Sequence, residues 1–312
     1  MTIEELTANR RDLVETHYRN GFTSGINKLL SDLYPDKAHF IYELLQNAED
    51  MNATYVRFIL SENGLEFEHN GDKRDFTIED IDAITNIGHN IQKRNDATSI
   101  GKFGVGFKSV FSYTSTPEIH SKTYHFRIQN YFVPVFENVP VISTMDKEKI
   151  YWTKFYLPFD NPNKPPKTAV SEIASTLFDL NENSLLFLSH IKKIEYMMPD
   201  SRIGYVYCNE ENNQLTISYK PYDSDNESVI QFMRFQKEYE MIIDDSINKM
   251  VKVGIAYKLE TNKDGGKRIV PIENGRTFIY FPTDKERSNL KFHINAPCIV
   301  YNKLDRKHLA MV

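Results

Sequence analysis

One segment of the chain decides the fold: Tyr42-Glu43-Leu44-Leu45-Gln46-Asn47-Ala48-Glu49-Asp50. Apolar residues recur around it at the i, i+3, i+4, i+7 spacing of one helix face: Ile41, Leu44, Leu45 and Ala48. Glu43 and Asn47 are four residues apart, so a carboxylate and an amide oxygen share the opposite face. The pattern predicts an amphipathic helix from Asp36 to about Met51, whose polar face suits a water-activating base beside Mg²⁺. Taken alone, the same pattern is more typical of a solvated helix face.

The segments around this helix carry strand, turn and helix signals. Residues 3–33 read as helical with a break near Gly21 to Gly25. Residues 54–60 and 65–68 flank Asn63-Gly64 and predict a β-hairpin that ends at His69-Asn70-Gly71. The later patterns predict a helix beginning near Thr77, a mobile loop over 88–99, strands over 118–159, a helix over 168–180, a strand over 191–197 and mostly strands from residue 201 onward.

A glycine-rich segment follows the polar loop: Ile100-Gly101-Lys102-Phe103-Gly104-Val105-Gly106-Phe107-Lys108-Ser109-Val110-Phe111. Its glycines precede a short apolar helix predicted over 107–113, and bare backbone N–H groups there suit a phosphate chain. A tight turn with helix packing is the plainer alternative. A P-loop is excluded because Phe107 separates Gly106 from Lys108, and the third glycine of a dinucleotide fingerprint is missing.

Composition excludes several classes of protein. The 38 Lys and Arg against 43 Asp and Glu give a net charge of −5, which leaves nucleic acid only a local basic patch. Cys208 and Cys298 are too few for a disulfide framework. No signal peptide is visible, and no apolar run approaches the ~20 residues that span a bilayer. We therefore expect a cytoplasmic protein without a membrane partner, in about two domains.

Taken in order, three motifs resemble the GHKL ATPase superfamily: Glu43-x-x-x-Asn47-x-x-Asp50, then His69-Asn70-Gly71, then Gly101-x-x-Gly104-x-Gly106-Phe107. The likeness is to the chaperone-like branch, and within it to sacsin-type amino-terminal ATP-binding domains, over about residues 30–160. It implies an α+β fold, namely a two-layer α/β sandwich of the Bergerat type with a mixed, mostly antiparallel sheet covered by helices. The ATP-binding domain would span residues 1–200. A smaller strand-rich, transducer-like domain, expected to be truncated, would span residues 201–312.

The resemblance implies ATP and Mg²⁺ as the bound groups. Glu43 would be the general base, Asn47 would hold Mg²⁺, and residues 86–100 would form a lid over the nucleotide. The other implied nucleotide-binding residues are Asp50, His69, Asn70, Gly71, Gly101, Lys102, Phe103, Gly104, Val105, Gly106, Phe107 and Thr153. Lys291 and Arg306 are candidates for sensing the γ-phosphate, although surface charge is the plainer role for each.

One position departs from the superfamily. His69 stands where an aspartate usually accepts a hydrogen bond from the adenine amino group. A neutral imidazole can accept one hydrogen bond and a protonated imidazole can accept none. Asp72 or backbone groups could substitute, so the selectivity for the base is left open.

The implied function is an ATP-dependent conformational switch with slow Mg²⁺-dependent hydrolysis. Such a module would be the amino-terminal part of a larger chaperone-like or bacterial defence protein. It could form a homodimer on binding ATP. The alternative is a nucleotide-dependent protein-interaction module that binds ATP without hydrolysing it. A histidine kinase would need a helical phosphoacceptor domain, and the sequence pattern predicts none. The sequence does not identify the partner protein or effector domain.

Overall fold

The computed structural model describes the following parts of the chain: residues 1–19, 38–72, 74–86, 106–122, 124–139, 153–244 and 247–296. The α-helices in these parts are α1 (Ile3–Arg19), α2 (Phe40–Asp50), α3 (Ile78–Thr85) and α4 (Pro166–Phe178). Two 3₁₀ helices accompany them: η1 (Gly106–Ser112) and η2 (Glu182–Ser184).

The described strands form one mixed sheet. In chain order they are β1 (Tyr55–Leu60), β2 (Gly64–His69), β3 (Glu118–Ser121), β4 (Tyr124–Gln129), β5 (Val133–Val135), β6 (Thr153–Pro158), β7 (Lys193–Met197), β8 (Ile203–Glu211), β9 (Gln214–Lys220), β10 (Ser228–Asp244), β11 (Ile247–Thr261), β12 (Lys267–Val270), β13 (Arg276–Ile279), β14 (Phe281–Arg287) and β15 (His293–Asn295). The order across the sheet is β14-β13-β15-β11-β10-β9-β8-β7-β1-β2-β6-β3-β4-β5, and β12 pairs with β11. Among the described pairs, β1 with β7 and β13 with β15 are parallel and the others are antiparallel.

The helices α2 and α4 share a core with one face of this sheet. Alternate residues of β1, namely Val56, Phe58 and Leu60, are fully buried because successive side chains of a strand point to opposite faces. They belong to one hydrophobic cluster with the apolar face of α2 and with the buried residues of α4. The predicted α+β fold with a mixed, mostly antiparallel sheet is therefore confirmed, and strands dominate it.

The opposite face of β1, β2 and β6 carries paired charges. Glu68 lies between Arg57 and Lys154, at 2.8 Å from Nη2 of the arginine and 2.5 Å from Nζ of the lysine. Because side chains alternate along β2, Phe67 and His69 point the other way, into the layer between sheet and helices. The last residue of β2 is thus directed inward.

Three helix predictions differ from the structure. The helix predicted from Asp36 begins at Phe40, because Ala38 has a φ of 52°, which an α-helix does not contain. The short helix predicted over 107–113 is the 3₁₀ helix η1, and its residues 107–111 are all buried. The helix predicted from Thr168 begins at Pro166, whose fixed φ suits the first helical position.

Other predicted segments lie partly outside the described residues. The break near residues 21–25 and the loop over 88–99 fall there entirely. The predicted domain boundary near residue 200 lies between β7 and β8, which pair as antiparallel neighbours. That boundary stays a prediction.

A buried carboxylate fixes α2 to the sheet. Glu49 is 4% exposed and accepts hydrogen bonds from three consecutive backbone N–H groups, those of Ser189 (2.6 Å), His190 (3.0 Å) and Ile191 (2.9 Å). The imidazole Nδ1 of His190 lies 3.2 Å from the same carboxylate. Burial alone would raise the pKa of Glu49, but the hydrogen bonds from His190 and the three N–H groups lower it below its usual range. The carboxylate therefore anchors α2 in its charged form.

Glu49→Gln is expected to lower the free energy of unfolding by about 2 kcal/mol, because an amide leaves backbone donors without an acceptor. Urea denaturation measures the change, and the exposed Glu62→Gln is the control, expected within ~0.5 kcal/mol of the parent. A lowered folded-state pKa stabilises above the unfolded value and loses that effect as pH falls. The difference between parent and Glu49→Gln should therefore shrink below pH 4.5, the ordinary pKa of glutamate. Equal stability of the two proteins at neutral pH would contradict the anchoring role.

Candidate functional site

The polar face of α2 brings three predicted residues together. Glu43, Asn47 and Asp50 follow one another at i, i+4 and i+7, and each is half-buried. The apolar residues between them, Leu44, Leu45 and Ala48, are fully buried, because 3.6 residues per turn place them on the core side of the helix. Folding of this one amphipathic segment therefore sets the three polar groups in a row.

Gly106 connects the glycine-rich segment to this row. A methyl group at Gly106 would lie 2.6 Å from the carboxyl carbon of Glu43, which is closer than nonbonded carbon atoms approach. The absence of a side chain therefore lets the first residue of η1 touch the Glu43 carboxylate. The structure thus brings Gly106 and Glu43, which are distant in sequence, into contact.

The environment of Glu43 makes its carboxylate a stronger base than usual. Burial raises the pKa of Glu43, while the nearby His39 lowers it in part, and the net shift is upward. The Nε2 atom of His39 lies 3.8 Å from the nearer carboxylate oxygen. A carboxylate with a raised pKa accepts a proton more readily, as a general base for water requires.

His69 is the last residue of β2, and its side chain lies on the inner face of the sheet. It is 3% exposed and pairs in register with Val56 on β1 and Thr153 on β6. Its ring Nδ1 accepts a hydrogen bond from the backbone N–H of Gly71 at 3.2 Å. Burial lowers the pKa of His69 to about 4, so the imidazole is neutral at neutral pH.

Thr153 lies beside His69 on the neighbouring strand. Its hydroxyl is 2.9 Å from the hydroxyl of Ser121 on β3, and both side chains are buried. The strand register thus brings Thr153 and His69 together, and it adds Ser121, which no motif in the sequence indicated.

The other two residues of the His69-Asn70-Gly71 motif have structural contacts. The Asn70 side-chain oxygen accepts the backbone N–H groups of Thr54 and Tyr55, both at 2.9 Å, and so closes the start of β1. A Cβ on Gly71 would lie 2.7 Å from Cβ of Met51, the residue that ends α2. The motif therefore contacts the carboxyl-terminal end of α2 through Gly71.

The two ends of this arrangement are separated along α2. Glu43 contacts Gly106 near the amino-terminal end, and Gly71 contacts Met51 at the other end. Eight residues at 1.5 Å per residue make this distance about 12 Å.

Some predicted site residues lie elsewhere. The Phe107 ring is buried in the core, 5.7 Å from that of Phe155, and does not line the polar face of α2. Lys291 is exposed on the segment before β15. The following predicted residues lie outside the described parts of the chain: Gly101, Lys102, Phe103, Gly104, Val105, Arg306 and lid residues 87–100.

A turn in the second half of the chain reaches α2, which sequence reasoning missed. Tyr280 joins β13 to β14 with a φ of 67°, a conformation that costs a bulky residue free energy. Its N–H donates to the side chain of buried Asn295 at 2.9 Å, and the next ring, Phe281, lies 5.2 Å from that of Tyr42. Burial, with Asp50 nearby, raises the pKa of Tyr280 to about 12. No sequence signal marks such a strained turn.

Comparison with known proteins confirms the sacsin-type resemblance. The sacsin domain family model matches residues 19–155. The protein NO VEIN of Arabidopsis thaliana is 27% identical over 317 residues, which cover 92% of this chain and 11% of that protein. Human sacsin is 35% identical over 103 residues, 28% of this chain and 2% of sacsin. This chain therefore spans only a small part of either relative.

Two solved structures also resemble the chain in part. One is the 43K ATPase domain of Thermus thermophilus gyrase B bound to an aminocoumarin, with a TM-score of 0.36, 13% identity and coverage of 68% of this chain and 62% of that chain. The other is the topoisomerase IV ATP-binding domain of Francisella tularensis with an inhibitor, with a TM-score of 0.31, 14% identity and coverage of 58% and 57%. Both TM-scores are low, so neither match bears on what this chain does.

None of the described helices has the length and apolar character to cross a membrane.

Glu43→Gln is expected to raise the free energy of unfolding at neutral pH by roughly 1 kcal/mol, because it removes the cost of burying a charged carboxylate. A raised folded-state pKa means that the charged form is disfavoured by folding, so the parent loses stability as pH rises above 4.5. Urea denaturation at neutral pH and at pH 4.5 measures this, again beside Glu62→Gln. A lower stability of Glu43→Gln at neutral pH would show that the charged carboxylate is satisfied where it lies.

Proposed function

We propose that the chain binds ATP with Mg²⁺ along the polar face of α2 and hydrolyses it slowly, as a conformational switch. The observation that carries this proposal is the Glu43 carboxylate, which has a raised pKa and is held against the backbone of Gly106. Asn47 and Asp50 continue the same face toward His69-Asn70-Gly71. The sacsin domain match over residues 19–155 supports the same assignment.

In this proposal Glu43 accepts the proton of the attacking water. Its partial burial limits bulk water, and its raised pKa brings the carboxylate nearer to the pKa that proton transfer needs. The contact with Gly106 fixes the carboxylate on the side of the glycine-rich segment, whose backbone N–H groups are proposed to hold the phosphates.

Asn47 is the residue proposed to hold Mg²⁺. Mg²⁺ prefers oxygen ligands and keeps several waters, so one amide oxygen together with the substrate phosphates suffices. When bound, Mg²⁺ would neutralise charge on the phosphates.

The switch part of the proposal rests on the turn that joins β13 to β14. Phe281 packs against Tyr42 near the start of α2, and Tyr280 is close enough to Asp50 for that carboxylate to help raise its pKa. A movement of α2 on nucleotide binding would therefore be transmitted to β13 and β14. The sacsin-type resemblance supports a chaperone-like setting for such a module, within a larger protein.

Glu43→Ala is expected to reduce ATP hydrolysis about 100-fold while ATP binding is retained, because a general base contributes to the chemical step. Phosphate release and calorimetry with ATP and Mg²⁺ measure the two properties separately. Hydrolysis at the parent rate would refute the role of Glu43. Binding by the parent without any phosphate release would favour the alternative, a nucleotide-dependent interaction module.

Gly106→Ala is expected to slow hydrolysis about 10- to 100-fold, because the added methyl group must displace the Glu43 carboxylate. The carboxylate ends a flexible side chain, so thermal stability should change little. Gly266→Ala is the matched control, since a methyl group there meets its nearest atom at 3.6 Å. Equal phosphate release by the two variants would mean that the contact with Gly106 does not position the carboxylate.

A further inference from the structure

The hydrogen bond within the His69-Asn70-Gly71 motif fixes the tautomer of His69. A backbone N–H can only donate, so Nδ1 of His69, 3.2 Å from the Gly71 nitrogen, must offer its lone pair. The single proton of the neutral imidazole then resides on Nε2. His69 therefore presents an N–H donor, and no acceptor, to any group that approaches Nε2.

The direction of this ring follows from the strand. Phe67 and His69 lie on the inner face of β2 with ring centroids 5.9 Å apart, whereas Glu68 points outward to Arg57 and Lys154. The ring therefore lies in the layer between β2 and α2. In the described part of the chain, the Gly71 N–H is the sole hydrogen-bond partner of the His69 side chain.

The neighbouring groups adapt more easily than His69 does. Thr153, opposite His69, shares a hydroxyl contact with Ser121 in which either oxygen can be the donor. Hydroxyl groups rotate to suit a ligand, whereas the donor character of Nε2 is set by a backbone bond. Among these groups, His69 Nε2 is therefore the one whose role is fixed, and that role is hydrogen-bond donor.

We infer that the end of β2 recognises a purine base by donating a hydrogen bond from His69 Nε2 to an acceptor on the base. It therefore does not select for the exocyclic amine of adenine. The inference rests on the proposed function, because it places a nucleoside triphosphate along α2. A carbonyl at position 6, as in hypoxanthine or guanine, can accept a hydrogen bond from His69 Nε2–H. The amine at position 6 of adenine is itself a donor, so it cannot accept this bond. The site should accept 6-oxopurine nucleotides at least as well as ATP.

The test compares ATP with ITP, which differ at position 6 of the base, by calorimetry with the intact chain and Mg²⁺. The parent is expected to bind ITP at least as tightly as ATP. His69→Asp, which replaces the donor by an acceptor, is expected to shift the ratio of affinities toward ATP by about tenfold. Where that variant does not fold, His69→Asn supplies an acceptor oxygen without a charge and should shift the ratio in the same direction.

Glu66→Gln is the matched control, since it lies on β2 but on the charged outer face, and its ratio should equal that of the parent. A preference of the parent for ATP over ITP of about threefold or more would overturn the inference and leave the proposed function standing. Failure of the parent to bind either triphosphate at millimolar concentration would overturn both. A ratio that is unchanged in a folded His69→Asp variant would also overturn the inference.

Discussion

Two carboxylates on one helix, six residues apart, have opposite surroundings, and the placement of α2 depends on the difference. Glu49 accepts three backbone N–H groups and is held in its charged form, so it anchors the helix to the segment before β7. Glu43 is partly buried, and burial raises its pKa although the nearby His39 lowers it in part. Hydrogen bonds that compensate burial lower the pKa of Glu49, whereas burial dominates the pKa of Glu43 and raises it.

This division explains how a short helix can hold a row of polar side chains in a fixed position. An eleven-residue helix gains most of its stability from tertiary packing and little from its own propensity. The apolar face of α2 supplies that packing, and Glu49 adds a directional contact that prevents the helix from rotating or sliding. The polar row at Glu43, Asn47 and Asp50 can then stay half-buried along one side of the helix, because the rest of the helix holds it in place.

Local periodicity predicted much of this arrangement. The spacing of apolar residues predicts α2, and the Asn63-Gly64 turn predicts the hairpin β1–β2. The order of the motifs indicates the sacsin-type resemblance that the comparisons confirm. His69 and Thr153 were named from the resemblance alone, and the strand register then placed them side by side. Each of these features depends on residues that are near in sequence or on a recognisable motif.

The remaining features depend on contacts between distant residues. Glu49 meets residues 140 positions further along the chain, and nothing in its own helix distinguishes it from a solvated glutamate. The contact of Gly106 with Glu43 and the strained turn at Tyr280 likewise exist only once separate elements have packed. The helix begins later than predicted because Ala38 has a left-handed φ, and the spacing of apolar residues carries no information about the φ of a single residue.

The central claim is that one nucleoside triphosphate lies along α2, with its phosphates near Glu43 and its base near His69. A crystal structure with a non-hydrolysable ATP analogue and Mg²⁺ tests this most directly. The account predicts density for the γ-phosphate beside the Glu43 carboxylate and Gly106, and for the base against His69 and Thr153. An analogue bound elsewhere, or bound along α2 with its base at the Glu43 end, would contradict it.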